Sequence, residues 1–426
     1  MTDVTRHIVG SMTSSGWDAL PKRHEFDDEC RRLLAFGERF PHPDGGSAWL
    51  DDDGAPDLSR PVFTWITARM AHVYALGEVL GHPGAGRLVD QALAGLTGPL
   101  RDQENGGWLT SVDKGESPDE KACYTQAFVV LAAASGTAVG RAGARTLLRE
   151  ALDTWDARFW DEQHGMFVDR WDRSFSTLDP YRGVNSNMHS VEALLAAADV
   201  LDDDALRQRA LRITLRVIAA AEQHEWRIPE HYTPDWQPLL EHNRDNPADP
   251  FQPFGATVGH GLEWARLILH LEAALGATAP PALEPAARAL FDRAVQDGWS
   301  VDGEEGFVYT TDWDGTPVVR DRLHWVAAEA ICTASALLTR TSNTRYGDLV
   351  ELWWQHVQRL FVDHERGSWH HQLTPDNVPT DTVWPGKPDL YHAVQAMLLP
   401  GLPLNPALLL AVRLTGGSSA SSSTSG

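Results

Sequence analysis

Cysteine is nearly missing from this 426-residue chain: Cys30, Cys123 and Cys332 are its only three, odd in number and far apart. That argues against a disulfide framework and a cysteine-based zinc centre, and it fits a reducing cytoplasm. Long apolar runs are missing too. Stretches such as ALLAAADVL and AICTASALL end short of the roughly 20 residues that cross a bilayer, so no membrane partner is expected. The opening MTDVTRHIVGSMTSSGW lacks the apolar centre of a secretory signal. Basic charge is scarce: 36 Lys and Arg against 59 Asp and Glu leave a formal net charge of −23. Nucleic acid and anionic surfaces are therefore not expected as partners. The acidic surplus describes a solvated surface and names no substrate.

What the chain does have is apolar and aromatic mass. A hydrophobic fraction of 42% and 17 tryptophans suffice for two or three ordinary domains or for one large repetitive one. The final GGSSASSSTSG is uncharged and of low complexity. The expected division is a single domain over 1–414 and a disordered tail over 415–426.

A Gly–aromatic mark recurs along the chain, at Trp49, Trp108, Phe167, Trp226, Phe307 and Trp369. The first four are 59 residues apart and the last two gaps are 81 and 62. A period this long signals a repeated supersecondary unit. Before each mark runs an amphipathic helical pattern, as in ARTLLREALDTWDARFW; after it runs a more uniformly apolar one, as in ACYTQAFVVLAAAS. Helices apolar nearly all round belong inside, and amphipathic ones outside. Six such pairs predict an all-α fold, an (α/α)6 barrel of six inner and six outer helices. An open helical solenoid is the alternative. Loops rich in Pro, Gly, Asp and Trp, such as HQLTPDNVPTDTVWPGKP, gather at one barrel end, where function tends to reside.

Aligning the inner helices by their starts selects Trp65, Tyr124, His189, His260, Trp325 and His392. They predict a ring of aromatics and imidazoles at the barrel mouth, which suits a polyhydroxylated ligand. Glu192 and Glu263 follow His189 and His260 by three residues, and Asp389 precedes His392 by three. That spacing puts a carboxylate on the same helix face as each imidazole, placed to orient it or to share its ligand. Arg69 and Glu329 lie one turn inside apolar helices and call for partners or a ligand. His370 and His371 read as loop residues, and His324 as a residue of the pocket rim at most.

Three chemistries compete for this constellation. His and Glu at i, i+3 can ligate a metal, but the three histidine-bearing helices do not all neighbour one another in a ring of six, so no metal is expected. Glycoside hydrolysis wants two opposed carboxylic acids, whereas this ring offers histidines first. Histidine, titrating near neutrality, suits moving a proton off carbon and back, so the balance tips to isomerase or epimerase.

The runs NSNMHSVEALLAA, PFGATVGHGLEWARLILHL and GKPDLYHAVQAML resemble the N-acylglucosamine 2-epimerase superfamily, and GHGLEWARL with WVAAEA its aldose–ketose isomerase branch of mannose and sulfoquinovose isomerases. The resemblance spans about Trp17 to Leu410. It implies cofactor-free isomerisation of a small monosaccharide through a cis-enediol. By the same resemblance, His260 and His392 would be the acid/base pair, and Glu263 would orient His260 or hold a hydroxyl. His189 and Asn185 would grip the sugar, Arg69 would contact the reacting oxygens, and Tyr124, Trp325 and Glu329 would line the pocket. A sulfonated substrate needs an extra cation, best an arginine. The loop DPFQPFGATVGH offers Gln252 instead, with Arg244 a little earlier and Lys387 nearby as candidate cations. The expected reaction is D-mannose to D-fructose, with D-lyxose to D-xylulose beside it. Alternatives are a sulfoquinovose isomerase or a sugar 2-epimerase of the same fold. Monomer and homo-oligomer both stay open.

Overall fold

The chain's structure, a computed structural model, describes residues 23–419. The opening segment, Trp17 and residues 420–426 lie outside the described residues. Six inner helices form a ring: α2 (Thr64–Val79), α4 (Cys123–Ala138), α6 (Val184–Leu201), α8 (Val258–Leu275), α10 (His324–Thr341) and α12 (Tyr391–Leu398). Six outer helices surround them: α1 (Arg23–Gly37), α3 (Ala85–Thr97), α5 (Ala144–Arg158), α7 (Asp204–Gln223), α9 (Leu283–Gly298) and α11 (Arg345–Leu360). The ring closes because α12 packs against both α10 and α2. This is the (α/α)6 barrel, not an open solenoid.

Sequence pattern decides which ring a helix joins. In α2 every residue from Thr64 to Gly77 is buried, as an all-round apolar helix requires. In α3 the buried set is a stripe through Leu88, Val89, Ala92, Leu93 and Leu96, the i, i+4 pattern of a helix with one wet face. Each inner helix packs on the outer helix that follows it in the chain, α2 on α3 through α10 on α11. The last inner helix has no successor of this kind, and α1 covers it instead.

Two-residue strands stitch neighbouring units together at the mouth. Residues 62–63, 121–122, 182–183, 256–257 and 322–323 each precede an inner helix and pair antiparallel with the hairpin of the next unit. The first N–H of each of these helices, left without a partner inside the helix, then donates to a carbonyl of that hairpin. Thr64 reaches Thr110, Cys123 reaches Asp169, Val184 reaches Glu230, Val258 reaches Tyr309 and His324 reaches His371. The mouth is thereby tied round from unit to unit, which holds the starts of the inner helices in a fixed relation. At the far end, α13 (Leu408–Ser419) packs on α2 and α4. Helical backbone thus continues to Ser419, past residue 415 where the sequence reading began a disordered tail, because LLLAVRL has an apolar face to bury.

Candidate active site

Two tiers of side chains line the mouth. Trp65, Tyr124, Asn185, Trp325 and His392 are each the second residue of their helix, and His260 is the third of α8. One turn deeper, at the sixth position, come Arg69, Phe128, His189, Glu263 and Glu329. The expected rim position of His189 is therefore corrected: Asn185 holds the rim place on α6, and His189 lies below it. These tiers enclose a cleft of about 780 Å³ when the open space at its mouth is included. Of the nine residues to which the family resemblance gives a role, eight line it: Arg69, Tyr124, Asn185, His189, His260, Glu263, Trp325 and His392, and Trp65 and Asp389 line it too. Glu329 does not, being wholly buried behind His392.

The two rim histidines are each held from behind by a carboxylate. His260 Nδ1 donates to Glu230 Oε1 at 2.9 Å, and His392 Nδ1 to Glu329 Oε1 at 3.0 Å. Such a bond fixes the tautomer and leaves Nε2 as the free nitrogen. Between them stands the Trp325 indole, 5.3 Å from the His260 ring and 5.7 Å from the His392 ring, tilted 37° to both. Gly259 makes this possible, since a Cβ there would lie 2.3 Å from the Trp325 ring.

These pairings correct the i, i+3 expectation. Three residues along a helix is a drop of about 4.5 Å, so Glu263 falls a tier below His260. There it lies 3.7 Å from His189 Nδ1 and accepts from Arg266 at 3.3 Å. Glu230 instead comes from the unit's hairpin, at the height of His260, and no sequence signal marked it. Asp389 likewise leaves His392 and pairs with Arg69 at 3.3 Å. Glu192 keeps its expected neighbour, 4.0 Å from His189 Nδ1.

Arg69 is the only lysine or arginine on the cleft lining among the described residues. Its guanidinium donates to the Tyr124 hydroxyl at 2.9 Å and lies 4.3 Å over Phe128 and 4.7 Å over Tyr391. His189 Nδ1 and Asn185 Oδ1 are buried without a hydrogen-bond partner in the protein. Buried polar atoms of this kind need partners, and both residues face the cleft.

Burial sets the titration of the site. It pushes His189 down to about 4, against the nearby Glu192 carboxylate, and His324 down to about 4. It also holds His392 well below the ordinary imidazole range, with the Arg69 charge acting the same way. Glu263 is raised well above the usual carboxylate range by burial and by the charge of Glu329. Both causes act toward the protonated form.

Two groups have ligand atoms close enough for an ion: His189, Glu192 and Glu263, and Glu263, Glu329 and His392. The sequence argument against metal rested on histidines too far apart, but these groups combine one histidine with two glutamates. The second set is already filled by a cation of the protein. Arg266 donates to Glu329 at 2.7 Å and 3.3 Å and to Glu263 at 3.3 Å, so the carboxylates have their counter-charge.

Several lining residues were not expected. His371 is no ordinary loop residue: its ring stacks on His324 at 4.1 Å and 16°, and both line the cleft. Pro250, Phe251 and Pro253, from the long connection between α7 and α8, form a roof that meets Trp384, with the Phe251 and Trp384 rings perpendicular at 5.5 Å. The candidate cations for a sulfonate are engaged elsewhere. Lys387 is buried, donating to Asp363 at 2.8 Å and to the carbonyls of Asp52 and Gly367. Arg244 pairs with Glu241 and lies 4.4 Å over Phe254, and Gln252 bonds His242 at 2.9 Å.

Closed double ring and polar–aromatic cleft together define an (α/α)6 barrel with its site at the helix N-termini. Within that class the chain belongs to the N-acylglucosamine 2-epimerase family, whose model matches residues 45–396. It is 51% identical to a D-mannose isomerase of Thermobifida fusca, over 92% of this chain and 97% of the relative. A D-mannose isomerase of Pseudomonas cannabina pv. alisalensis is 45% identical, over 94% and 98%. Among solved structures, a crystal structure of D-mannose isomerase superposes with a TM-score of 0.82 at 26% identity, covering 91% of this chain and 98% of that one. No described helix is long and apolar enough to cross a membrane.

Proposed function

We propose that the protein is an aldose–ketose isomerase that interconverts D-mannose and D-fructose, with D-lyxose and D-xylulose as a second pair, by proton transfer through a cis-enediol. The observation that carries this reading is the pair of rim histidines, each backed by a buried carboxylate and set on either side of Trp325. One free Nε2 takes the hydrogen from carbon and returns it to the neighbouring carbon. The other serves the two oxygens between which the carbonyl moves. A neutral imidazole is the competent base, and burial favours that form in His392.

The lower tier fits the rest of an open-chain sugar. Arg69 offers positive charge where an enediolate oxygen would develop. Asn185 and His189 offer unpartnered polar atoms for hydroxyls, and Glu263 a carboxyl group on the cleft wall. Tyr124 and Trp325 supply walls, and Glu329 acts from behind His392. The roof of Phe251 against Trp384 favours a single sugar ring. A neutral substrate agrees with the engagement of Lys387 and Arg244 outside the cleft.

The test is to incubate the purified protein separately with mannose, fructose, glucose and sulfoquinovose and to follow products by chromatography. Mannose and fructose should reach one equilibrium mixture from either side. Turnover of sulfoquinovose alone, or exchange of glucose with mannose without fructose, would overturn the reading.

A further inference from the structure

Arg266 has no part in the cleft lining, yet it stands at the centre of the charges beneath it. It follows Glu263 by three residues on α8 and is 3% exposed. Its guanidinium grips Glu329 through two nitrogens, at 2.7 Å and 3.3 Å, and Glu263 through one, at 3.3 Å, with Glu192 4.0 Å away. These three carboxylates come from α10, α8 and α6. Each carries the network up to the site: Glu329 to His392, Glu263 to the cleft itself, and Glu192 to Tyr391 and Gln395 of α12. One cation thus joins four of the six inner helices.

We propose that Arg266 is a positioning residue for His392: it holds the Glu329 carboxylate in one orientation, and so fixes the Nδ1–H tautomer that leaves Nε2 of His392 free as base. This rests on the isomerase reading for its meaning in turnover, though not for its structural content. The fork geometry matters, because a guanidinium makes two parallel bonds to a carboxylate where an ammonium makes point contacts. Three carboxylates share one guanidinium here, so the cluster holds a surplus of negative charge away from water. In the cleft-facing member, Glu263, burial and Glu329 both favour the protonated form.

The titratable groups facing this cluster are Glu192 and His189 on α6, Glu263 and His270 on α8, and Glu329 and Cys332 on α10. Tyr391 and His392 on α12 and Arg69 on α2 complete the set. Removing the central cation takes a positive charge from beneath His392 and so favours its protonated ring. The rise of kcat with pH should therefore move to higher pH.

The test uses Arg266→Met, which keeps the length of the side chain, beside Arg266→Lys, which keeps the charge. Histidine-¹⁵N NMR of the free protein reads the His392 tautomer without any substrate. His392 should be Nδ1-protonated in the wild type and a mixture of tautomers in Arg266→Met. With mannose, Arg266→Met should lose kcat by roughly 100-fold, the scale of one acid/base group, with KM changed less than about threefold and the pH limb shifted up by roughly one unit or more. Arg266→Lys should fall between the two. If Arg266→Met fails to fold, Arg266→Lys decides: wild-type kcat and tautomer there would overturn the proposal. A folded Arg266→Met with lowered Tm but unchanged tautomer and pH profile would also overturn it, reducing Arg266 to packing. A wild type inactive on mannose with the tautomer effect intact would instead sink the isomerase reading alone.

Discussion

The imidazole of His260 is held by Glu230, thirty residues upstream, at 2.9 Å, and not by Glu263 one turn along its own helix. The two glutamates therefore have separable tasks. Glu230→Gln should replace a charged acceptor by an amide and lower kcat by about 10-fold or more while KM for mannose holds. Glu263→Gln, which removes a carboxyl group from the cleft floor, should raise KM as well. If Glu263→Gln changes kcat alone and Glu230→Gln changes nothing, the pairing has no bearing on catalysis.

The acid/base assignment makes a sharper demand. His260→Ala and His392→Ala should each lose about 10²–10⁴ in kcat, with circular dichroism unchanged. Fructose converted in D₂O should yield mannose labelled at C2, since a histidine exchanges its proton with solvent and a hydride shift does not. Near-normal kcat in both variants, with no label, is the result this mechanism does not survive.

Chelation gives a third check. Because Arg266 already neutralises Glu263 and Glu329, activity should be unchanged after EDTA and dialysis. Loss of activity that one divalent ion restores would put a metal back among His189, Glu192 and Glu263.

Acid should unfold the barrel in a defined window. His72, His189, His270, His324 and His356 are pushed by burial from 6.5 down to about 4. Below pH 6.5 the unfolded chain binds protons at these sites and the native one does not, so stability falls with falling pH until the native groups titrate near 4. The stabilisation from keeping them neutral is complete above pH 6.5. Melting temperatures by calorimetry should drop steeply from pH 6.5 to 4; a flat profile there would show that these rings are solvated.

Gly259 tests the rim. Its Cβ would stand 2.3 Å from the Trp325 ring and 2.9 Å from Val326, so Gly259→Ala must displace the indole between the two histidines. Turnover should suffer although no polar group is lost, and a crystal structure of the variant should show the ring moved. Wild-type kinetics would mean that Trp325 has no fixed place in the reaction.

How much of this was legible in the sequence follows from how far each feature reaches. Inner and outer helices were, because burial all round or on one stripe is written in consecutive residues. So was the rim, because equal offsets from helix starts put Trp65, Tyr124, Trp325 and His392 at one height. The partners were not. Whether Glu230, Glu263 or Asp389 meets an imidazole depends on which helix stands opposite and at what depth, and neither is a local property. His371 and the Phe251 roof sit in irregular segments, where no periodicity says which way a side chain faces.

The first helix among the described residues covers the last inner one, so α1 shelters the helix that carries His392. Without α12 that histidine is missing and α1 loses the inner helix it covers. This packing forms only once the residues up to Leu398 are present. The seam where the two ends meet is then the last to be sewn and, by sequence separation, the costliest to bring together. A chain cut before α12 is therefore expected to lack both this seam and the His392 imidazole.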